Sequence, residues 1–358
     1  MQQEMNELSF FNDMPQELIA LIASFLKKRD IIFFSQSNKQ AAAAVYHLLK
    51  REKNKLVKDF FFAAGDRVTY FYTPNCLYVC GKNLCGQLGV GDKKNRYNFT
   101  KVSLDKEIGS IKQVTGSGNT TFILTDKYLL ACGRNIDGEL GVGDTSSREN
   151  FVKVPLEIKV DQIESIIPAY RYTLIFTKNR EFFCSGFSWS VPDTPHFKSL
   201  NFEKISLENK IGQIEAVKPD GLNCSGYFFI TDRGCFSRSL IGFLSFHRTQ
   251  MDLVKELFLK DRQNHGSKII QRIFDNYFQI DFTETGLYGV GVNDQGQLAV
   301  GETIKRKSST RIENLPAELN LYYKIGAYLK KLEKILGNTL GISEEISFDS
   351  RKHEIKLN

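Results

Sequence analysis

Hydrophobic positions along this chain change their period near residue 58. Leu18, Ile19, Leu21, Ile22, Phe25 and Leu26 form one wide stripe at helical spacing, which predicts an amphipathic helix. Asp13 can cap it, with Gln16 three residues on and Pro15 in the first turn, and Lys27-Lys28-Arg29 suits its negative end. Asp30 can cap a second run, Ile31-Ile32-Phe33-Phe34. A third, over 39–58, opens on four alanines and carries Val45, Leu48, Leu49, Leu56 and Val57. Three short helices are expected. A segment of roughly fifty residues makes a marginal core. The four apolar side chains from Ile31 to Phe34 cannot all face it, because helix neighbours point about 100° apart. Some of them project against the rest of the chain or against another protein.

Beyond residue 58 the pattern repeats. Cys80-Gly81-Lys82-Asn83-Leu84-Cys85-Gly86-Gln87-Leu88-Gly89-Val90-Gly91-Asp92 lies within a stretch, 77–92, that returns 52 residues later as 129–144 and again, more loosely, as 287–302. Eroded copies fall at 181–186 and 234–237. Ahead of these copies a second element recurs: 111–125, with counterparts at 163–177, 214–231, 269–283 and, weakly, 332–343. Runs such as Phe122-Ile123-Leu124 are short, β-prone and bounded by Asn, Asp, Gly or Ser. Three to four such strands in each unit make the size of a propeller blade. The fold expected is therefore mainly β: a helical domain over 1–57, then over 58–358 a β-propeller of about six blades, within a range of five to seven, each four-stranded. Gly86, Gly89 and Gly91, with Gly138, Gly141 and Gly143, mark places where the backbone turns with positive φ or approaches a neighbour closely. A phosphate-cradling loop is the poorer reading, since the motif lacks the Gly-Lys-Ser/Thr ending, precedes no apolar helix and recurs.

Composition narrows the chemistry. Of 358 residues, 42% are hydrophobic and 25% charged, as in a soluble globular chain. The formal charge of +7 is spread over interleaved bases and acids. Lys27-Lys28-Arg29 and Lys305-Arg306-Lys307 are the densest basic spots, read as solvated faces ahead of a nucleic-acid surface. No apolar run is long enough to span a bilayer, and Glu4, Glu7 and Asp13 stand where a secretory leader would be apolar. A reducing, cytosol-like setting is expected. Seven cysteines with no Cys-x-x-Cys, and five scattered histidines, make neither a disulfide framework nor a metal site. Cys80, Cys132 and Cys184 share one repeat position and are expected to be buried as small apolar groups. No catalytic constellation, cofactor motif or nucleophile elbow is present, so a binding protein without catalysis of its own is expected.

Met14-Pro15-Gln16-Glu17-Leu18-Ile19-Ala20-Leu21-Ile22-Ala23-Ser24-Phe25-Leu26, followed by Asp30-Ile31 and Ser37-Asn38-Lys39, closely resembles the F-box motif. That resemblance implies a three-helix F-box docking on a Skp-type adaptor and through it on a cullin, with adaptor contacts from Met14, Pro15, Leu18, Ile22, Phe25, Leu26, Ile31 and Ile32. Methionine replaces the family's usual leucine before the proline, and its frequent tryptophan after the third helix is missing. The Cys-Gly-x-Asn-x-x-Gly-Gln-Leu-Gly-x-Gly-Asp pattern resembles the regulator-of-chromosome-condensation repeat, a family of β-propellers whose ring usually has seven blades. Cysteine stands where that family often has tryptophan, in keeping with the single Trp189 of this chain.

Together the two resemblances imply a substrate receptor of a Skp-cullin-F-box ubiquitin ligase, with the target protein held on the propeller. The alternative is an exchange factor or partner for a Ran-like small GTPase, since some members of the repeat family do that. Nucleic-acid binding is the weakest reading. The setting implied is eukaryotic cytosol, or host cytosol if the chain is a secreted bacterial effector. Within 251–264, Leu253, Val254, Leu257 and Phe258 make an amphipathic segment that either contacts a partner or packs across the ring.

Overall fold

A computed structural model describes Pro15 and residues 38–117, 119–188, 197–205, 214–219, 227–231, 234–238, 268–274, 277–340, 346–349 and 354–357. The chain divides into two compact units, 1–60 with 315–358, and 61–314.

The larger unit is built from antiparallel meanders. The first comprises β1 (Phe61–Gly65), β2 (Val68–Thr73), β3 (Cys76–Gly81) and β4 (Arg96–Lys101). The second comprises β5 (Ile111–Ser117), β6 (Thr120–Thr125), β7 (Leu129–Gly133) and β8 (Arg148–Lys153). β9 (Ile163–Pro168), β10 (Tyr172–Thr177), β11 (Phe182–Ser188) and β12 (Phe197–Ile205) form the third. A three-stranded sheet follows, β13 (Ile214–Pro219), β14 (Tyr227–Thr231) and β15 (Gly234–Arg238). The last is β16 (Ile269–Phe274), β17 (Phe278–Thr283), β18 (Leu287–Gly291) and β19 (Arg306–Arg311). Four sheets are thus four-stranded, propeller-like blades, each drawn from one continuous stretch of chain. The recurring element of the sequence is the first strand pair of each later sheet: 163–177 spans β9 and β10, 214–231 spans β13 and β14, and 269–283 spans β16 and β17.

Register repeats with the sequence. Val68 faces Gly81, Thr120 faces Gly133, Tyr172 faces Gly186 and Phe278 faces Gly291. In all four blades the third strand shifts register against the fourth just before that glycine. The fourth strand spends four residues there against two on the third, and the two extra residues tighten the local twist, as bulges do. Inner strands are buried on both faces, β2 and β6 without exception. Apolar side chains of neighbouring blades meet there: Val68, Tyr70, Leu77 and Val79 of the first pack with Ile111, Val114 and Ile123 of the second. Phe122, Leu129 and Ala131 of the second pack with Ile163, Ile166, Ile175 and Phe183 of the third. Burying side chains of this size removes water at about 1.5–3 kcal/mol apiece, so the interfaces between blades are the core of the unit.

One position in the repeat carries a local defect. Gly89 and Gly141 have φ of 65° and 67°, and Ala299 holds the same place at φ 55°. A left-handed alanine costs roughly 1–2 kcal/mol, against the 0.5–1 kcal/mol by which glycine loosens the unfolded chain. Ala299→Gly should therefore raise stability by about 0.5 kcal/mol in urea titration. A clear loss would mean that the methyl group's packing outweighs its backbone strain.

The smaller unit holds two long helices, α1 (Asn38–Lys58) and α2 (Ala317–Leu340), and the hairpin β20 (Ile346–Asp349) with β21 (Glu354–Leu357). Val45 and Leu49 of α1 pack on Ile325, Tyr328, Leu329 and Leu332 of α2. Tyr46 donates to Glu333 at 2.8 Å, and its own burial, with that carboxylate, pushes its hydroxyl up to about 12. The third helix expected over 39–58 matches α1. The repeat expected at 332–343, and with it a propeller running on to residue 358, is corrected: this stretch lies largely in α2. Leu319, Tyr322, Ile325, Leu329 and Leu332 recur every three or four residues, so a helix buries them on one side where a strand would split them between two faces. Pro316 precedes the helix and its carbonyl accepts from Asn320, as a first-turn proline permits.

Candidate functional site

The long loop after the third strand of each complete repeat is organised by one buried asparagine. Asn83 Oδ1 accepts from Leu88 N at 2.9 Å while its Nδ2 donates to the Asp92 carbonyl at 2.8 Å. Asn135 makes the same two bonds to Leu140 and Asp144, and Asn293 to Leu298 and Glu302. An amide is required because one side chain must both accept and donate. Asp92 and Asp144 then pair with Arg96 and Arg148 at the start of the outer strand, which holds both carboxyls below their usual range.

The loop also locks onto the neighbouring blade. Thr121 donates to the Gln87 carbonyl at 2.6 Å, Thr173 to that of Glu139 at 2.7 Å, and Thr69 to that of Gln297 at 2.7 Å. Gly91 N reaches Glu149 O, Gly143 N reaches Leu200 O, and Gly301 N reaches Tyr97 O. The last blade, β16–β19, is thereby joined directly to the first. Gln271 adds a clasp there, its amide bonding both N–H and carbonyl of Phe62.

These loops share one end of the blades with the turns between first and second strands, since Lys82 N donates to Arg67 O, Arg134 N to Asn119 O, Phe187 N to Arg171 O and Val292 N to Tyr277 O. This end carries exposed Leu84, Ile136, Tyr170, Tyr277 and Ile304. Arginines lie against aromatics along it: Arg134 over Tyr170 at 5.2 Å, Arg171 over Phe187 at 4.4 Å and Arg67 over Tyr277 at 4.9 Å. Fixed rings beside guanidinium groups are the residue types that dominate protein contact surfaces.

Between the second and third blades the end is braced by charge. Arg134 binds Glu139 at 2.6 Å and Asp137 at 2.9 Å, and Arg171 grips Asp137 through two bonds of 2.7 and 3.0 Å. The Glu139 side chain is 0% exposed, and burial raises its carboxyl above the ordinary glutamate value. Hydrogen bonding from Arg171 holds Asp137 below its own. The sequence signal was a glutamate at the glutamine position of the motif together with an arginine five residues earlier; composition and spacing alone gave neither a role.

Of the expected adaptor contacts, Pro15 is half-buried. Met14, Leu18, Ile22, Phe25, Leu26, Ile31 and Ile32 lie outside the described residues, as do Trp189 and the segment 251–264. Cys80, Cys132 and Cys184 are buried as expected, and burial pushes the thiols of Cys80 and Cys132 up, away from reactive thiolate. Among the described residues no group of three or more His, Cys, Asp or Glu is placed to hold a metal, and no helix is long and apolar enough to cross a membrane.

No protein-family model matches this chain. It is 31% identical over 126 residues to the secretion-regulating guanine nucleotide exchange factor of Bos taurus, a match covering 35% of this chain and 27% of that protein. It is 30% identical over 126 residues to the X-linked retinitis pigmentosa GTPase regulator of Mus musculus, covering 35% of this chain and 12% of that one. The chain thus spans about a quarter or less of the length of these relatives. Prp20p from Saccharomyces cerevisiae, a structure reported with its binding properties to Gsp1p and histones, shares 16% identity at a TM-score of 0.40, over 74% of this chain and 66% of that one. The exchange factor and the GTPase regulator align with only about a third of the chain, whose described sheets include four four-stranded, propeller-like blades.

Proposed function

We propose that the bladed unit is a protein-binding platform for a small GTPase, acting as a guanine-nucleotide exchange factor or regulator. The observation that carries this reading is the 31% identity to a secretion-regulating exchange factor, placed on a repeat whose loops are locked blade to blade. Exchange needs no acid, base or cofactor from the platform. A surface that binds the nucleotide-free GTPase more tightly than the GDP-bound form lowers nucleotide affinity by the same factor, because the coupling is reciprocal. Stiff loops suit that task, since a compliant surface would fit both forms. Release of fluorescent GDP from a panel of purified small GTPases tests it: one member should release at least tenfold faster with the full chain present. Unchanged release across the panel would remove the reading.

The F-box-like run supports a second role. Met14, Pro15, Leu18, Ile22, Phe25, Leu26, Ile31 and Ile32 supply the apolar anchors by which an F-box would hold a Skp-type adaptor and a cullin, the bladed unit then presenting a bound protein for ubiquitination. Pull-down with the adaptor decides it: Leu18→Asp with Phe25→Asp should abolish capture, and capture equal to wild type would exclude this role. We propose eukaryotic cytosol as the setting for both functions, or host cytosol if the chain is a secreted bacterial effector.

A further inference from the structure

The positive charge of this chain is unevenly placed. α1 and α2 hold ten of its 48 lysines and arginines but three of its 41 acids, which leaves 38 of each sign for all the rest. The excess of +7 is therefore a property of two helices. α1 is the more basic, with Lys39, Lys50, Arg51, Lys53, Lys55 and Lys58 against Glu52.

The placement of these bases divides the helix. At 100° per residue, Lys50, Arg51, Lys55 and Lys58 fall within an arc of about 140°, and Val45, Leu49 and Leu56 fall on the opposite side. That apolar side is taken, since Val45 and Leu49 pack with Ile325, Leu329 and Leu332 of α2. The four bases are exposed along about 12 Å of helix. Acids nearby are occupied or few. Glu52 is buried beside Arg51 at 3.2 Å, Glu333 of α2 accepts from Tyr46 at 2.8 Å, and exposed Asp59 follows Lys58. Lys50, Lys55 and Lys58 form no ion pair among the described residues. Lys55 and Lys58 also suit the negative end of the helix, but that attraction fades within the last turn and does not explain Lys50 and Arg51.

We infer that this stripe of α1 is a contact for an anionic membrane surface, formed by headgroups of the phosphatidylserine type, on which the helix lies without entering. With its apolar side spent on α2 the helix has nothing to insert, so attraction of charge does the binding. Lysine is depleted from protein interfaces, which favour arginine and aromatic rings. Duplexes are met by arginine forks and single strands by stacking rings. Here the one arginine of the stripe is bonded to Glu52, and the ring beneath Lys50, that of Tyr46, is tied to Glu333. Lipids instead drift toward hydrated point charges and need no fixed pattern of partners. A basic amphipathic helix of this make is the usual sequence sign of such a surface.

The test sediments the full chain with phosphatidylcholine vesicles, plain or carrying about 30% phosphatidylserine. Wild type should bind the anionic vesicles at least tenfold more tightly than the neutral ones at about 0.1 M salt, and lose that preference at about 0.5 M as screening shortens. Lys50→Gln with Lys55→Gln and Lys58→Gln should weaken binding about tenfold or more at an unchanged Tm. Removing the same charge from exposed sites on the bladed unit, as Lys106→Gln with Lys112→Gln and Lys127→Gln, should change it by less than about twofold. Arginine at the three helix positions keeps the charge and should keep the binding. Equal binding to both kinds of vesicle, or by the helix variant and wild type, would overturn the site. So would tighter capture of a short DNA duplex than of anionic vesicles through the same lysines, which would make this a nucleic-acid surface. Should the glutamine variant unfold, the salt series on wild type still decides: affinity that survives about 0.5 M salt would overturn a contact made by charge. Neither the GTPase nor the adaptor enters this experiment, so its failure leaves both of those roles standing.

Discussion

Arg134→Val is expected to lower the stability of the bladed unit by about 3–5 kcal/mol, the usual cost of stranding one member of a buried ion pair. Glu139 would keep its bond from Asp137 N but lose the guanidinium that faces its other oxygen, in a place with no access to water. Combining Arg134→Val with Glu139→Gln should recover most of that loss, because valine and glutamine are the pair that the last blade carries as Val292 and Gln297. The recovery defines the interaction energy of a double-mutant cycle, and additive single effects would refute the account. The effect also has a pH signature. Glu139's carboxyl is raised in the folded state, so the folded protein takes up a proton at a pH where the unfolded chain remains ionised. Stability of Arg134→Val should therefore rise as pH falls toward the ordinary glutamate value of 4.5. Asp137 runs the other way: its contribution is present above its ordinary value of 3.8 and fades only below it, outside that window. Chemical denaturation at several pH values reads both.

Gly133→Ala should cost about 3 kcal/mol or more. Its φ of 106° lies where a side chain is strongly disfavoured, and a Cβ there would sit 2.1 Å from the Asn119 carbonyl. That carbonyl accepts from Arg134 N, so relief by moving it would break the bond that starts the loop. The urea midpoint should fall with an unchanged slope, and amide exchange at Arg134 should quicken. A loss below about 1 kcal/mol would show that the bulge relaxes more freely than its fourfold recurrence suggests.

Much of the bladed unit was legible from residue pattern because each blade repeats one set of local demands. A glycine is needed where the third strand shifts register, an asparagine where a loop needs a donor and an acceptor together, and a threonine where a neighbour's carbonyl must be met. Those demands recur at a 52-residue spacing and so could be recognised without coordinates. The sheet β13–β15 was found through 214–231 although its glycine loop is eroded, because its strands kept their apolar runs. Where periodicity was extended past its support it failed: Leu332 satisfied the offset of a weak copy, yet its neighbours at Tyr328 and Leu329 carry helical spacing. The site was harder still. Glu139 and Gln87 look interchangeable in a motif, and what separates them, a buried carboxylate answered by Arg134 in one case and a neutral amide in the other, shows only in the packed structure.

Because no four-stranded blade borrows a strand from another, each is a cassette that can be removed or inserted without rethreading its neighbours. Many closed folds tie their ends together by weaving the first and last segments into one sheet, which freezes the number of units. Here the last blade is fastened to the first by threonine, glutamine and glycine contacts of the same kind used inside the series, with Gln271 as an added hook. In-frame gain or loss of a single 52-codon module is thus a route by which such a protein could change circumference, and with it the spacing of the contacts it offers a partner.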